Sequence, residues 1–435
     1  MTPGMRNLGL FVTMGLLLGI VGWGQSWSLA LSILNLCLIS SVMALGVNIQ
    51  WGYAGLFNVG TMGFAALGGV AGVLVSMPAV PAAWHAGGLP VLGALGIVIV
   101  TVALGIAAWR IGPPKARTVL VATIGIVGFY FTRAVFDPAV EAIESTDSAR
   151  TGYLGGLGMP ILLAWAVGGA FAAGAAWVVG KVALGLRSDY LAIATLGISE
   201  IIIAVLKNED WLTRGVKNVT GLPRPVPYEV ELQAYPWFIE LAADWGQSPI
   251  DLSGVVVKLL YAALFTLVLL FVLWLSETAL RSPWGRMMRA IRDNETAAAA
   301  MGKDVTRRHL QVFVLGSAVI GIAGAMLTTL DGQFTPASYQ PLRFTFLIWV
   351  MVIVGGSGNN WGSVLGGFVV WFVWVEAEPV GLWLMESATS VLSPDSALRA
   401  HLLDAAAHMR LVTMGLILLL VLRFMPSGFI PETKR

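Results

Sequence analysis

Long apolar segments, separated by short polar stretches, recur along this chain of 435 residues. A membrane-spanning helix needs about 20 consecutive, predominantly apolar residues, and most of these segments are long enough to cross a bilayer. The pattern therefore predicts an all-α polytopic membrane protein with about ten transmembrane helices. The segments are 8–22, 28–49, 61–77, 90–109, 118–135, 159–180, 189–206, 253–276, 309–330, 342–355, 361–375 and 409–424.

Two neighbouring segments are short for a crossing. Segments 342–355 and 361–375 flank the glycine-rich sequence GGSGNNWG at 355–362, and we predict that both are half-helices. A glycine-rich loop invites a phosphate-binding interpretation, but no Lys-Ser/Thr pair follows this one, which excludes a P-loop. We expect a tight turn between the two helices instead.

The composition agrees with the hydropathy pattern and excludes several classes of protein. Apolar residues make up 57% of the chain and charged residues only 11%, against about a quarter in an ordinary soluble domain. The net charge of +2 argues against nucleic-acid binding. The single cysteine, Cys37, and the four histidines show neither metal-ligand spacing nor a nucleophile–base set, so we expect no metal site and no catalytic residue.

Basic and acidic loops alternate along the chain and predict its orientation. Basic residues are concentrated in 110–117, 181–187 and 281–308, whereas acidic residues are concentrated in 137–147 and 207–252. Because cytoplasmic loops carry the excess of Lys and Arg, the basic loops are expected in the cytoplasm. Both termini are then cytoplasmic, and 207–252 forms an outer loop.

The first candidate site is the stretch from 48 to 60, in which amides and glycines interrupt apolar sequence. Irregular backbone at membrane depth is tolerated where it is buried in protein or lines a wet cavity. An unwound segment would offer N–H and C=O groups to a polar solute, and the alternative is an ordinary polar turn. The candidate residues of a translocation path here are Asn48, Tyr53, Gly55, Asn58 and Gly60.

The second candidate site lies in the apolar segment 189–206, which contains Thr195 and Glu200. Placing a charge in the bilayer costs at least about 2.5 kcal/mol. We therefore expect Glu200 to face the interior of the helix bundle, where it is paired, hydrogen-bonded or protonated. The carboxylate then either lines the transport pathway or makes a structural hydrogen bond between helices.

The third candidate site is the basic segment 281–308. Arg286, Arg289 and Arg292 recur at helical spacing, with Met288 and Ile291 on another face. A short amphipathic helix of this kind is suited to docking into a groove of a soluble partner, and the alternative is a loop that binds anionic lipid. An alanine-rich helix follows and is expected to end at the glycine in position 302.

Four sequences, in this order, resemble the M-type permease subunit of branched-chain amino acid ABC importers. Any one of them alone would be a weak match, whereas four in the same order are specific. They read GYAGLFNVG at 52–60, LRSDYLAIATLGISEI at 186–201, SPWGRMMRAIRDNETAAAAMG at 282–302 and GGSGNNWGSVLGG at 355–367.

The resemblance implies a single transmembrane permease domain over 1–435 with the ABC importer permease fold, in the bacterial inner membrane. It implies that 281–308 docks on a cytoplasmic ATPase, with Glu295, Ala298 and Gly302 among the coupling residues. It further implies a second, H-type permease subunit, two ATPase subunits and a periplasmic binding protein. ATP and Mg²⁺ would be bound by the ATPases and no cofactor by this chain, which would hydrolyse nothing.

Departures from the family pattern leave the solute open. Asn58-Val59 replaces the usual residues before the last glycine of the first motif, and the span 118–135 looks more like the H-type permease. Branched-chain and other neutral amino acids are the expected substrates, and urea or amides are the alternative within the wider family. The alternative outside the family is an ion-coupled secondary transporter that uses Glu200 as its ion site.

Overall fold

The computed structural model describes residues 3–147, 151–390, 392–393 and 396–432. Over these residues, ten helical segments are long and apolar enough to cross a membrane, which confirms the predicted all-α polytopic architecture. The α-helices are α1 (Pro3–Gly24), α2 (Trp27–Ala54), α3 (Thr61–Ser76), α4 (Pro81–Ala83), α5 (Leu89–Ile111), α6 (Arg117–Ser145), α7 (Ile161–Ala183), α8 (Ser188–Asn208), α9 (Asp210–Thr213), α10 (Glu229–Ala234), α11 (Pro236–Asp244), α12 (Pro249–Arg281), α13 (Pro283–Asp293), α14 (Glu295–Ala300), α15 (Val305–Asp331), α16 (Pro341–Gly355), α17 (Asn360–Ala388), α18 (Ala397–Ala405) and α19 (Met409–Phe424).

Shorter elements complete the fold. A π-helical turn, Trp84–Gly88, joins α4 to α5, and a 3₁₀ turn, Ala406–His408, joins α18 to α19. Two two-residue strands, β1 (Val219–Thr220) and β2 (Gln333–Phe334), pair antiparallel. Two further 3₁₀ turns are Gly215–Lys217 and Pro336–Ser338.

The prediction of two half-helices is right for one segment and wrong for the other. Helix α16 has only 15 residues, but α17 has 29 and is long enough to cross. The apolar pattern stops at 375 because Glu376 and Glu378 follow it, yet the helix continues through both. Glu376 accepts a hydrogen bond from Gln25 Nε2 at 3.0 Å, and Glu378 pairs with Arg410. Because both carboxylates have partners within the protein, α17 can continue past the end of the apolar segment.

The core is built around α2, which is packed by α12, α15, α16 and α17, while α3, α7 and α15 pack against one another. Helices α3 and α15 approach until their backbones touch. A Cβ atom on Gly68 would overlap the carbonyl oxygen of Gly321, and one on Gly324 would overlap that of Ala65. Small residues permit such close packing of membrane helices, so these glycines set the distance between α3 and α15.

Helices α5 and α6, which hold the unexpected span 118–135, form an outlying hairpin. They pack mainly on each other, and their faces along the membrane are largely exposed. One end of the hairpin joins the body through a small cluster that includes Ala83, Ile143 and Leu154. This hairpin lies outside the buried core in which the candidate site is found.

The two ends of the helix bundle carry different extramembrane elements. One end, here called the coupling end, carries α13 and α14 together with the last turn of α2. The other end carries β1, β2 and the helices α9, α10 and α11 of segment 207–252. Residues 428–432 lie at the coupling end, where Ile430 N donates to Gly355 O at 2.9 Å. That the coupling end faces the cytoplasm stays a prediction.

Candidate translocation and coupling site

A six-residue break separates α2 from α3, and its position differs from the predicted one. The helix continues past Asn48 and Gln50 to Ala54, so the irregular backbone covers only 55–60. Gly55 ends α2 in the left-handed region, with φ of 69°, and its N–H donates to Trp51 O at 2.8 Å. Glycine adopts this conformation without a steric cost, which explains its place after the last helical residue.

The polar groups of this break are tied together within the protein by what we call the Asn58 knot. Asn58 Nδ2 donates to Gln50 Oε1 at 2.8 Å, and Asn58 Oδ1 accepts from Gly60 N at 2.8 Å. Gln50 Nε2 donates in turn to Phe313 O and Ser317 Oγ, both at 3.0 Å. Asn58 and Gln50 are fully buried. The unwound segment is thus closed by its own hydrogen bonds.

Helix α8 and helix α16 hold the break in place. Thr195 Oγ1 accepts from Val59 N at 3.0 Å, and Trp349 Nε1 donates to Asn58 O at 3.0 Å. A Cβ on Gly60 would lie only 2.6 Å from Thr195 O, so the break and α8 are in close contact. The structure therefore brings together the two sequence-predicted stretches, 48–60 and 186–201.

Three aromatic rings form an apolar surface beside the break. The rings of Phe57 and Trp349 lie 4.7 Å apart, and Trp51 is within 5.7 Å of both. Phe57, Trp51 and Val59 are half-buried, so part of this surface faces the outside of the chain. The surface accessible at the break is apolar and aromatic, while its polar atoms are turned inward.

The expectation that Glu200 faces the interior of the bundle is wrong. Helix α8 buries one stripe, which includes Thr195 and Ser199, whereas Glu200 is exposed. Five residues after Thr195, Glu200 lies about 140° away around the helix. Within the described residues it has neither an ion pair nor a hydrogen bond, and its neighbours Gly197 and Ile201 are exposed as well. The carboxylate therefore sits near the middle of a transmembrane helix and points away from this chain.

A second buried polar network joins α2 to α12 and to the α16–α17 turn. Asn48 Oδ1 accepts from Gly358 N at 2.8 Å, and Asn48 Nδ2 donates to Asn360 Oδ1 at 3.1 Å. The Tyr53 hydroxyl donates to the same Asn360 oxygen, while Asn360 Nδ2 donates to Glu277 Oε1 at 3.0 Å. Asn48 and Tyr53 are thus engaged in contacts within the protein, and their role as path-lining residues stays a prediction.

The basic segment folds as the sequence predicts. Ser282 Oγ accepts from Gly285 N at 3.4 Å at the start of α13, and Met288 and Ile291 are buried against the bundle. Asn294 then caps α14, in which Ala298 is buried and Glu295 exposed. Gly302 follows with φ of 76°, which confirms the predicted helix stop.

The three arginines of α13 do not share one environment. Arg286 is exposed and Arg289 half-buried, but Arg292 turns back onto the bundle. It donates to Gly52 O, in the last turn of α2, and its Nη2 lies 3.0 Å from Glu432 Oε2. Arg292 is thus held by two acceptors from other segments of the chain, and its role in coupling to an ATPase stays a prediction.

Glu432, which pairs with Arg292, belongs to a segment that sequence reasoning missed. Asn359 Nδ2 donates to Pro431 O at 3.1 Å, and Phe429 N donates to Val354 O at 2.9 Å. The segment Phe429–Glu432 thereby connects the α16–α17 turn to α13. An isolated acidic residue near a chain end carries no sequence signal for such a contact.

A cavity of about 1100 Å³ opens at the coupling end between α12, α13 and the α16–α17 turn. Both signs of charge line it, so it is not a simple cationic groove. Its charged lining residues are Arg281, Arg286, Arg289, Arg292, Glu277, Asp293 and Glu432.

Comparison with known proteins places this architecture in a family. The model of the branched-chain amino acid transport system permease component matches residues 145–422. The high-affinity branched-chain amino acid transport system permease protein LivM of Escherichia coli is 30% identical over 213 residues, which cover 47% of this chain and 48% of that protein. LivM of Salmonella typhimurium is 30% identical over 57% of this chain and 55% of its own length.

A more distant relative extends over most of the molecule. The probable branched-chain amino acid transport permease protein LivM of Methanocaldococcus jannaschii is 23% identical over 398 residues, 90% of each chain. The chain spans about half the length of the Escherichia coli and Salmonella relatives that it matches. No solved structure matches it. Since the family model covers more than half of the chain, this protein belongs to the permease components of branched-chain amino acid transport systems.

Proposed function

We propose that this chain is the permease subunit of an ATP-driven importer for branched-chain or other neutral amino acids. The family membership and the printed names of the LivM relatives support the transport class. The half-buried aromatic surface of Trp51 and Phe57 beside the broken helix suits a solute with an apolar side chain. The observation that carries the proposal is the contact between Arg292 of α13 and the carbonyl of Gly52.

That contact joins α13, on which the ATPase would act, to α2, whose end would move when the permease changes conformation. Helix α13 packs on the bundle through Met288 and Ile291 and would be displaced by a nucleotide-hydrolysing partner bound at the coupling end. Gly52 lies in the last turn of α2, three residues before the break at Gly55. A shift of α13 therefore acts directly on the end of α2 and on the contact between the break and α8.

The outward Glu200 supports a path between two permease subunits. A carboxylate near the middle of α8 is costly in lipid, so its face requires a wet surface or a second protein. We propose that an H-type permease covers this face and that the solute passes between the two chains, along the aromatic surface. Under this proposal Glu200 and Thr195 lie on opposite sides of one path-lining helix.

The remaining partners follow from the two ends of the bundle. We propose that two ATPases, which bind ATP and Mg²⁺, dock at the coupling end through Arg286, Arg289, Glu295, Ala298 and Gly302. A periplasmic binding protein would deliver the solute at the opposite end, on segment 207–252. Under this proposal the chain lies in a bacterial inner membrane, with the coupling end and both termini in the cytoplasm.

Reconstitution in proteoliposomes tests the proposal. The chain is incorporated with its second permease and ATPases, the binding protein is added outside, and uptake of radiolabelled leucine is measured with and without internal ATP. Uptake is expected to require ATP and to be competed by isoleucine and valine but not by urea. Uptake that persists without ATP and collapses with a proton ionophore would replace the importer with a secondary transporter.

A further inference from the structure

A second large cavity, of about 1020 Å³, lies at the coupling end and shares no lining residue with the Asn58 knot. It is formed by the end of α7, the start of α15 and the side of α13, and here we call it the α7–α15 cavity. No residue of the candidate translocation path lines it. Its lining includes Trp177, Lys181, Val182, Trp284, Arg307 and Arg308.

The rim of this cavity is strongly cationic, and few acidic residues of the chain neutralise its charge. Lys181, Arg307 and Arg308 face it together with one acidic residue, Asp304. The Asp304 carboxylate is occupied as the cap of α15, where its Oδ1 accepts from Arg307 N at 3.0 Å. Within the described ranges no carboxylate pairs with any of the three cations. Both arginines also lie in the first turn of α15, where the helix dipole itself attracts an anion.

The wall below this rim is apolar and continues along the transmembrane helices. Trp177, Val182 and Leu315 are between 51% and 79% exposed, and all three line the cavity. The Lys181 ammonium lies 5.8 Å from the centre of the Trp177 ring. Tryptophan and lysine in this arrangement are typical of the level where a membrane helix meets the headgroups. A ligand of this cavity therefore meets cations at one end and hydrocarbon along its length.

We propose that the α7–α15 cavity binds an anionic glycerophospholipid. Its phosphate would lie among Lys181, Arg307 and Arg308, and one acyl chain would follow Trp177, Val182 and Leu315. Basic pockets between transmembrane helices at one membrane face are suited to anionic headgroups. The charge selects an anionic lipid over a zwitterionic one, and the apolar wall selects a lipid over a soluble phosphate.

The site touches the coupling segment through one side chain. Trp284 of α13 lines the cavity, and its Nε1 lies 3.4 Å from Gln311 Oε1, which also accepts from Arg308 Nη1 at 2.9 Å. Gln311 thus joins Arg308, which faces the proposed phosphate position, to Trp284 of α13. A bound lipid would contact both helices at the end where α13 packs.

Binding can be measured on the full-length chain by electron paramagnetic resonance. The purified protein is placed in nanodiscs with spin-labelled phosphatidylglycerol or phosphatidylcholine, and the immobilised fraction gives the relative affinity. The variant combines Lys181→Gln, Arg307→Gln and Arg308→Gln. The control combines Arg6→Gln, Lys115→Gln and Arg187→Gln, which removes three exposed cations outside the cavity.

We expect wild type and control to prefer phosphatidylglycerol and the cavity variant to lose that preference. The loss is expected to be about fivefold for each cation removed. Equal immobilisation of both lipids by wild type, or equal losses in the two triple variants, would overturn the proposal. Displacement of the spin-labelled phosphatidylglycerol by free glycerophosphate at matched concentration would contradict the proposal and assign the site to a soluble anion. Loss of the immobilised lipid fraction when the second permease is added would contradict it as well and assign the face to a protein contact.

Discussion

The Asn58 knot and Glu200 are both polar features at membrane depth, and they have opposite environments. In the knot, Asn58 and Gln50 are fully buried and bonded to each other and to neighbouring helices. Glu200, on a helix that touches the knot, is exposed and has no partner within the described chain. A buried polar group must find its hydrogen bonds internally, whereas an outward one must find them in another molecule.

The difference separates a structural role from an intermolecular one. The knot fixes the broken backbone between α2 and α3 and is complete in the isolated chain. The carboxylate of Glu200 contributes nothing to this chain's own packing, so its cost in the bilayer requires an external surface. Substitutions in the two regions are therefore expected to change different properties.

The largest effect is expected for Gln50→Leu, which removes the centre of the knot. The change leaves Asn58 Nδ2 and Ser317 Oγ without a partner and deletes the bond to Phe313 O. Each buried group left unsatisfied costs about 1–3 kcal/mol, so the free energy of unfolding should fall by about 3 kcal/mol. Thermal unfolding of the detergent-solubilised protein measures this loss.

The matched control for that experiment is Gln247→Leu. Gln247 is exposed in the segment between α11 and α12, and its replacement should change stability by less than about 0.5 kcal/mol. Equal melting temperatures for Gln50→Leu and wild type would mean that the knot is not closed, and the break would then be free to bind solute directly.

The next largest effect is expected for Arg292, a second polar side chain whose partners all lie within the chain. Arg292→Gln removes the ion pair with Glu432 and weakens the bond to Gly52 O, and displacement of α13 should no longer reach α2. Leucine uptake is expected to fall about tenfold, equivalent to about 1.4 kcal/mol, while ATP hydrolysis by the partner subunits continues. The ratio of leucine taken up to ATP hydrolysed, measured in proteoliposomes, reports this uncoupling.

Two further variants decide whether that loss comes from the contact itself. Glu432→Gln keeps the Gly52 bond and should lower the uptake ratio less than Arg292→Gln does. Arg423→Gln removes an exposed cation at the end of α19 and should leave the ratio unchanged. A similar loss in all three variants would show that general charge, not the link to α2, supports coupling.

The transmembrane spans and the fold of the basic segment 281–308 were predictable because their signals are local. Apolar runs marked the transmembrane helices, and a serine cap, a buried Met288–Ile291 face and a left-handed Gly302 all lie within one short segment. The extension of α17 was not predictable, since Glu376 depends on Gln25, 351 positions away.

The face on which a polar residue lies was also beyond the sequence. Helix α8 is apolar on nearly every side, so its pattern does not mark the stripe that packs, and Glu200 was assigned to the wrong side. The partners of Asn48 and Arg292 are Asn360 and Glu432, which local spacing cannot place. The packing of α2 against α17 brings Asn48 to Asn360, and the contacts of Phe429–Glu432 with the α16–α17 turn bring Glu432 to Arg292.

The smallest effect on the stability of the chain itself is expected for Glu200→Leu, which tests whether the exposed carboxylate has a role only in the assembled transporter. Since Glu200 has no partner within the described residues, the melting temperature of the isolated chain should be unchanged within about 0.5 kcal/mol. In the assembled transporter, however, uptake should fall several-fold, and Glu200→Gln should retain more of it because an amide still forms hydrogen bonds. Glu386→Leu, which removes an exposed carboxylate of α17 outside every proposed site, should change neither property. A clear loss of stability in isolated Glu200→Leu would mean that the carboxylate has an internal partner after all, and the proposed path along α8 would lose its main support.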